Sequence, residues 1–436
     1  MILSIMESLP TSWVMPLALV LFIITYVCLL IFSKYRAYIA LGSALLFIIL
    51  GYLPVNEIFG AVDWNVIMMI AGTMGVVALF IESKMPALIA DKIIDKSPNV
   101  WVAILALSIF AGIVSAFIDN VATVLMIAPI AITISRKLNI SPVTPIIALS
   151  VASNLEGAAT LVGDTTSILL GGYANMDFLD FFFYQGKMGL FFIVQIGLLV
   201  ATLVLYFIFR KHKDPISIDE HTVVTDYFPT ALMLGVIVLL ILASFIPNKP
   251  SITNGLICMT LMLVGIVYKA LSTKKQGALK DTIKEIDFFT LGLLAGLFMV
   301  IASVSNAGVI DAIAVLLSGI SGGDVFVIYT VVVFMSVFLS AFIDNIPYVA
   351  TMLPVMGVIA YRIGLDDPTV LYFGLLIGAT LGGNMTPIGA SANITSIGIL
   401  RKEGYEVKTS TFMKIGVPYT MAAVITGYLL VWFIFG

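Results

Sequence analysis

The hexapeptide SAFIDN occurs twice in this chain, at positions 115–120 and 340–345. Each copy lies in an otherwise apolar stretch and is followed by an apolar run that ends in proline, at Pro129 and at Pro354. A carboxylate beside an amide is costly inside a bilayer, so this pair of residues indicates function. Two copies in similar surroundings predict two related halves, a pattern that is typical of secondary transporters.

The composition places the chain in a membrane. Of its 436 residues, 61% are hydrophobic and 11% are charged, whereas soluble domains carry about 25% charged residues. The mean hydropathy is +1.13, and apolar stretches long enough to cross a bilayer recur along the chain. We therefore expect an integral membrane protein without a cleavable signal peptide.

There is no basic patch with interleaved aromatic residues, so nucleic acid is excluded as a partner. Cys28 and Cys258 suggest neither a metal site nor a disulfide, and no cofactor is expected.

The hydropathy pattern predicts an all-α polytopic membrane protein with ten crossings. These are residues 13–33, 37–55, 65–83, 142–172, 187–209, 228–246, 251–271, 287–304, 368–400 and 411–435. Residues 100–135 and 323–362 are predicted to be re-entrant hairpins with the Asp-Asn pairs at their tips. The chain is thus divided into a first repeat 1–209, a cytoplasmic linker 210–226 and a second repeat 227–436.

The basic residues give the orientation. With the N-terminus outside, only Lys187, Lys249 and Arg362 fall on the outer side, and the other 19 of the 22 Lys and Arg residues lie on inner segments. Such a bias is expected of cytoplasmic loops. Each half then contains five crossings, so the two repeats are inverted. Both termini are predicted to lie outside, in a bacterial or archaeal cytoplasmic membrane.

The polar breaks are the candidate binding sites. The crossings 142–172 and 368–400 are long and glycine-rich, so we expect them to be broken near 154–164 and 384–393. Broken helices persist in lipid only where they line a protein cavity. There, half-helix ends and the oxygens of Asn, Thr and backbone carbonyls can bind a small ion. A purely structural alternative is that the tip aspartates are N-caps and that the asparagines of the breaks only bond freed carbonyls.

Four motifs, in order, resemble a known superfamily. They read SAFIDNVATVLMIAP, ASNLEGAATLVGD, SAFIDNIPYVATMLP and GGNMTPIGASAN. They are similar to motifs of the ion transporter superfamily, above all the branch of arsenite permeases, NhaD-type sodium/proton antiporters and the melanosomal P protein. Divalent anion:sodium symporters are more distant. The resemblance covers the chain from about residue 37 onward. It implies an elevator-type mechanism, in which hairpins and broken helices move against a scaffold of outer spans, and we also expect a homodimer.

The resemblance implies an ion site between each hairpin tip and the broken helix of its own half. The residues carried over are Asp119, Asn120, Thr123, Asn154, Gly157 and Asp164 in the first half, and Asp344, Asn345, Asn384, Thr386, Gly389 and Asn393 in the second. Glu156, Thr165 and Ser391 lie in the same polar stretches and complete the candidate set, with Glu156 facing either the cavity or the membrane edge. Sodium is expected at Asp119, Asn120, Asn154, Asp344, Asn345 and Asn384.

The charges favour a cation or a proton as the species moved. Asp119, Asp164, Asp344 and Glu156 predict up to four carboxylates around one cavity, and the four motifs contain no Arg or Lys. A bidentate clamp for an anion is therefore missing. We expect a cation/proton antiporter that acts on a small ion or solute, with Na⁺ or H⁺ as the coupling ion, and no enzyme activity. The alternatives are proton-coupled efflux of arsenite or antimonite, sodium-coupled dicarboxylate symport, a channel and an intramembrane aspartyl protease.

Overall fold

The computed structural model describes residues 11–137, 140–211, 214–215, 222–272 and 284–436, and their regular structure is helical apart from one short β-hairpin. The first nine numbered helices are α1 Thr11–Ile31, α2 Arg36–Leu50, α3 Trp64–Glu82, α4 Met85–Asp95, α5 Val100–Ser115, α6 Asn120–Lys137, α7 Val143–Glu156, α8 Thr165–Tyr173 and α9 Leu190–Phe209. The next nine are α10 Phe228–Ser244, α11 Thr253–Ser272, α12 Phe288–Asn306, α13 Val309–Ser321, α14 Val325–Ser340, α15 Asn345–Arg362, α16 Thr369–Leu376, α17 Ser391–Lys402 and α18 Thr409–Phe435. A single helical turn, Ile58–Ala61, precedes α3, and β1 Phe183–Tyr184 pairs with β2 Lys187–Met188.

Helices in the two parts of the chain have matching lengths and matching start signals. The pairs α3 and α12, α5 and α14, and α6 and α15 contain 19, 16 and 18 residues in both members. Asp63 and Asp287 cap α3 and α12, and proline is the tenth residue of both α6 and α15. Capping side chains satisfy the free N–H groups at a helix start. Similar sequence signals therefore begin similar helices in both parts.

Seven of the described helices are long and apolar enough to cross a membrane. They are α1, α3, α6, α9, α11, α12 and α18. Further predicted crossings correspond to shorter apolar helices, such as α2 and α10. Helix α6, which was predicted to be one arm of a re-entrant hairpin, is itself long enough to span, so the hairpin interpretation stays a prediction. Residues 1–10 and, in the predicted linker, 212–213 and 216–221 lie outside the described residues.

The helices pack in two groups. In the first group, α3 lies along α11 and α2 lies along α12, with α1 and α10 beside these pairs. The approach is close because small residues meet: a Cβ on Gly72 would lie 2.4 Å from the carbonyl carbon of Cys258, and one on Gly296 would lie 2.6 Å from that of Ala40. In the second group, α5 packs on α7, α14 packs on α16, and α9 packs on α18. The predicted tips and breaks belong to this second group.

Candidate functional site

Both long predicted crossings are interrupted. In the first, α7 ends at Glu156 and α8 begins at Thr165. In the second, α16 ends at Leu376, and α-helix resumes only at Ser391 after a wide π-type turn and a short 3-10 turn. The first interruption coincides with the predicted stretch 154–164, whereas the second begins at Ile377, before the predicted stretch 384–393, and overlaps only part of it. Glycine and polar side chains stabilise unwound backbone that neighbouring segments can satisfy.

Each tip aspartate caps the helix that follows it. Oδ1 of Asp119 accepts hydrogen bonds from the backbone N–H groups of Val121 at 3.0 Å and Ala122 at 3.1 Å. Oδ1 of Asp344 accepts one from the N–H group of Ile346 at 3.1 Å. The structural alternative, N-capping, is therefore present at both tips. It uses only one oxygen of each carboxylate, so it leaves the second oxygen for another partner.

A threonine joins each tip to the break of its own half. The hydroxyl of Thr160 donates to the carbonyl oxygen of Ala116, and the hydroxyl of Thr386 donates to that of Ala341. Thr160 was absent from the predicted site residues, although it has the same role in the first break that Thr386 has in the second. A position-by-position comparison of the two breaks in the sequence could have identified Thr160.

Backbone carbonyl oxygens converge where each tip meets its break. A Cβ placed on Gly163 or on Gly389 would lie between 2.6 and 3.0 Å from three of them. The oxygens belong to Ser115, Ala116 and Gly157 around Gly163, and to Ser340, Ala341 and Gly383 around Gly389. Only glycine fits where the backbones of the tip and the break approach each other this closely. Carbonyl oxygens of unwound helices are the groups that coordinate Na⁺ in transporters with broken helices.

The asparagines of the breaks hold the two halves together. Asn154 accepts a hydrogen bond from Asn120 at 3.0 Å and donates to the carbonyl oxygen of Thr380 at 2.8 Å. In the opposite direction, Asn384 donates to the carbonyl oxygen of Val151 at 2.8 Å. Each asparagine thus donates to a backbone carbonyl oxygen of the other half, although Val151 lies inside α7 and not at its broken end. Yet Oδ1 of Asn384 is buried and accepts no hydrogen bond from the described residues, and a buried acceptor in that state calls for a further partner.

A cavity of about 410 Å³ reaches both tips. It lies between α3 and the start of α12 on one side and the tips and breaks on the other. Its polar lining residues are Asp119, Asn120, Asp164, Thr165, Glu285, Asp287, Thr290, Asn345, Ser391 and Thr395. None of the described residues that line it is Lys or Arg. The cavity is therefore an acidic chamber between the two groups of helices.

Asp164 connects the first break to the second tip. Its Oδ1 caps α8 by accepting from the N–H group of Thr165 at 2.7 Å. Its Oδ2 accepts from the hydroxyl of Thr166 at 3.1 Å and from the amide of Asn345 at 3.3 Å. The carboxylate thus contacts residues of both halves and faces the cavity. A change in the charge of Asp164 therefore acts directly on Asn345 of the second tip.

Two carboxylates of the cavity, Glu285 and Asp287, were not predicted. Oδ1 of Asp287 caps α12 by accepting from the N–H groups of Phe289 at 3.0 Å and Thr290 at 3.1 Å. The sequence contained a signal for this residue, because Asp63 stands in the same place before α3. Asp287 was predicted as the first residue of the crossing 287–304, and Asp63 lies just before the predicted crossing 65–83.

Glu156 and Asp344 do not line the cavity, although the sequence analysis placed them around it. Glu156 is fully buried, with Gln195 donating to Oε2, while Oε1 accepts no hydrogen bond from the described residues. Asp344 binds Arg36, which lies outside all four motifs. The other predicted residues lie behind the cavity wall: Thr123, Asn154, Gly157, Asn384, Thr386, Gly389 and Asn393.

Sequence comparisons place these features among transporters. The CitMHS family, described as citrate transporter, matches residues 1–360 and 255–436. An uncharacterized transporter of Mycobacterium tuberculosis is 28% identical over 432 residues, which cover 95% of this chain and 97% of the relative. The P protein of Homo sapiens is 26% identical over 457 residues, which cover 85% of this chain and 54% of the P protein.

Two solved transporter structures share the fold. The YdaH transporter of Alcanivorax borkumensis has a TM-score of 0.57 and 14% identity, with 86% of each chain covered. MtrF of Neisseria gonorrhoeae, described with a class of antimetabolite efflux pumps, has a TM-score of 0.55 and 16% identity, with 93% of this chain and 83% of MtrF covered. At these identities the likeness concerns the fold alone.

The family match and the similarity to the P protein confirm the resemblance to the ion transporter superfamily.

Proposed function

Since the chain belongs to the CitMHS family of transporters, we propose that it is a secondary transporter that exchanges a small cation for protons across a bacterial or archaeal cytoplasmic membrane. The acidic cavity carries this proposal. It exposes four carboxylates next to both tips, and no Lys or Arg occurs among its described lining residues. Such a chamber attracts cations and protons and repels anions.

The same cavity disfavours a free tricarboxylate such as citrate. Two like unit charges about 4 Å apart repel each other by about 4 kcal/mol at an effective dielectric constant of about 20. Anion sites usually use arginine or an open helix N-terminus. Here the starts of α6, α8 and α15 are already capped by Asp119, Asp164 and Asp344. Helix α17, in contrast, starts at Ser391 without a capping side chain, and Ser391 lines the cavity. The carboxylates of the lining, and not a lack of helix N-terminal donors, therefore disfavour the anion.

The first tip is the proposed cation site. Oδ2 of Asp119 accepts no hydrogen bond from the described residues, and Asp119 lines the cavity. The carbonyl oxygens around Gly163 lie beside the same tip. A monovalent cation at this place is neutralised by one carboxylate and coordinated by hard oxygen ligands. Protons compete for the same carboxylate, and this competition exchanges one ion for the other.

Inverted repeats and an elevator movement complete the proposal. Matching helix lengths, matching caps and the reciprocal bonds of Asn154 and Asn384 support two related halves. The cavity lies between the two helix groups, where sliding of one group past the other would expose the tips alternately. In the predicted orientation it opens to the cytoplasm, because Glu285 follows a cytoplasmic loop. A second cavity, of about 950 Å³, lies on the opposite side and does not include the tips in its lining.

The orientation is tested by single cysteines. We expect Ser251→Cys to react in intact cells with a membrane-impermeant maleimide, and Lys211→Cys to react only after the cells are opened. Both positions are exposed, and the native Cys28 and Cys258 are first replaced by Ser and Ala. The reverse labelling pattern would invert the orientation, and labelling of both positions in intact cells would refute the crossing 228–246 that separates them.

Ion exchange is tested in liposomes. With purified protein and an internal pH dye, we expect an imposed Na⁺, Li⁺ or K⁺ gradient to move protons in the opposite direction, whereas choline does not. Asp164→Asn should reduce this exchange by roughly tenfold or more and alter its pH dependence, since contacts to a charged group are worth about 1.5–3 kcal/mol. No proton movement with any of these cations would refute the antiport.

A neutral solute is the second candidate. The cavity lining contains the hydroxyls of Thr165, Thr290, Ser391 and Thr395 and the amides of Asn120 and Asn345. Such groups can bind a hydroxylated neutral molecule without repulsion by the carboxylates. The same liposomes, given arsenite or antimonite under a pH gradient, separate the two cases. Solute uptake in the absence of any cation-driven proton movement would favour this second candidate.

A further inference from the structure

An arginine from the first helix group occupies the second tip. Nη1 of Arg36, the first residue of α2, donates to Oδ2 of Asp344 at 2.5 Å. The side chains of the two residues are only 17% and 10% exposed. Nε of Arg36 also donates to the carbonyl oxygen of Leu29 at 3.3 Å, which helps to fix the guanidinium. The carboxylate oxygen that the cap leaves open is therefore taken by a cation of the protein itself.

The two tips have the same sequence but opposite electrostatic surroundings. Asp119 faces a cavity that it shares with Asp287 and Glu285 and that no described Lys or Arg lines. Asp344 faces Arg36 instead. The difference comes from outside the motifs, because both tips read SAFIDN. The first tip thus lacks a positive charge that the second tip already has.

We propose that the guanidinium of Arg36 takes the place of a monovalent cation at the second tip and competes with such a cation for Asp344. This inference rests on the proposed cation transport. It adds that the two tips differ in their ability to bind the cation. Because arginine keeps its charge at any physiological pH, an ion cannot enter beside it without repulsion. In the conformation described here, only the first tip binds the transported cation. Binding at the second tip requires Arg36 to move away.

Contacts of a neighbouring tyrosine hold the second tip next to Arg36. The hydroxyl of Tyr26 in α1 donates to the carbonyl oxygen of Pro347 at 2.7 Å and contacts the hydroxyl of Thr351. Together with Arg36, these contacts attach the start of α15 to the helix pair α1 and α2. The ion pair therefore crosses from one helix group to the other, and its opening would release a contact between the groups.

The competition is tested by thermal unfolding of the purified full-length protein while NaCl replaces choline chloride at constant ionic strength. A ligand that binds only the folded state raises the unfolding midpoint as its concentration rises. D119N removes the first site, so its midpoint should not respond to Na⁺. D119N/R36Q should gain a Na⁺-dependent rise, and D119N/R36Q/D344N should lose it again. D119N/R36K keeps the positive charge and should remain insensitive.

Each result supports or overturns the inference. A double variant D119N/R36Q that responds to neither Na⁺, Li⁺ nor K⁺ overturns it, as does a response that persists in the triple variant. If D119N/R36Q cannot be purified, R36Q is compared with the wild type: a larger Na⁺ response in R36Q that is lost again in R36Q/D344N supports the inference, and an unchanged response overturns it. The difference between the Na⁺ responses of the wild-type protein and of D119N reports on the first site alone. A wild-type protein that does not respond would therefore contradict the proposed cation transport, independently of the Arg36 variants.

Discussion

Replacement of Asp119 by Asn is expected to lower cation-coupled transport by roughly a hundredfold, because contacts to a charged group are worth up to about 3 kcal/mol, while the protein stays folded. Asparagine keeps an oxygen that can accept from Val121 and Ala122, so the cap of α6 survives. What disappears is the negative charge and the proton acceptor that face the cavity. Transport in liposomes and the unfolding midpoint, measured on the same preparation, separate these two effects.

Asp324→Asn is the matched control. Asp324 caps α14 by accepting from the N–H groups of Phe326 and Val327, at 2.8 and 3.1 Å, and it is exposed. The substitution therefore removes a capping charge with the same local geometry but away from the cavity. It should leave transport unchanged. Wild-type transport by the Asp119 variant would show that the first tip is a cap only.

The corresponding change at the second tip should behave differently. Like Asp119→Asn, Asp344→Asn removes a charge and a proton acceptor at a tip, so transport should be lost. The structure adds a cost, because the variant leaves the guanidinium of Arg36 without its carboxylate. Loss of one partner from a buried pair costs about 3–5 kcal/mol, and this pair is only slightly exposed. A lower unfolding midpoint for Asp344→Asn than for Asp119→Asn is the expected result.

Gly389→Ala is expected to prevent stable folding or to abolish transport. The new Cβ would lie 2.6 Å from the carbonyl oxygen of Gly383, 2.7 Å from that of Ser340 and 2.9 Å from that of Ala341. All three atoms are backbone, so a side-chain rotation cannot relieve the clash, and the cost should reach or exceed the 1–3 kcal/mol or so that is typical of overpacking. Expression level, monodispersity and the unfolding midpoint measure the effect.

Gly398→Ala provides the control for that prediction. Gly398 lies in α17, and a Cβ there would meet nothing within 4 Å. Alanine favours helix over glycine by about 1 kcal/mol, so this variant should be at least as stable as the wild type. If Gly389→Ala matched it in both stability and transport, the carbonyl oxygens would not be fixed around the second tip.

The class of protein followed from the sequence because its causes are local. Apolar stretches must lie in lipid, and charged residues are costly there. The repeated SAFIDN segment indicated two halves, and glycine and asparagine located both interruptions. The superfamily was also recognisable from four short motifs. Each of these inferences depends on residues that are neighbours in the chain.

The tertiary structure decided which charges meet. Arg36 and Asp344 are 308 positions apart, and neither motif composition nor hydropathy signals such a pair. The same holds for Glu285 and Asp287, which join Asp119 in the cavity, and for Glu156, which lies outside it. A carboxylate has the same local sequence whether it faces an arginine, a cavity or a glutamine. Its electrostatic surroundings come from helices that are distant in the chain, so only their packing makes the two tips unequal.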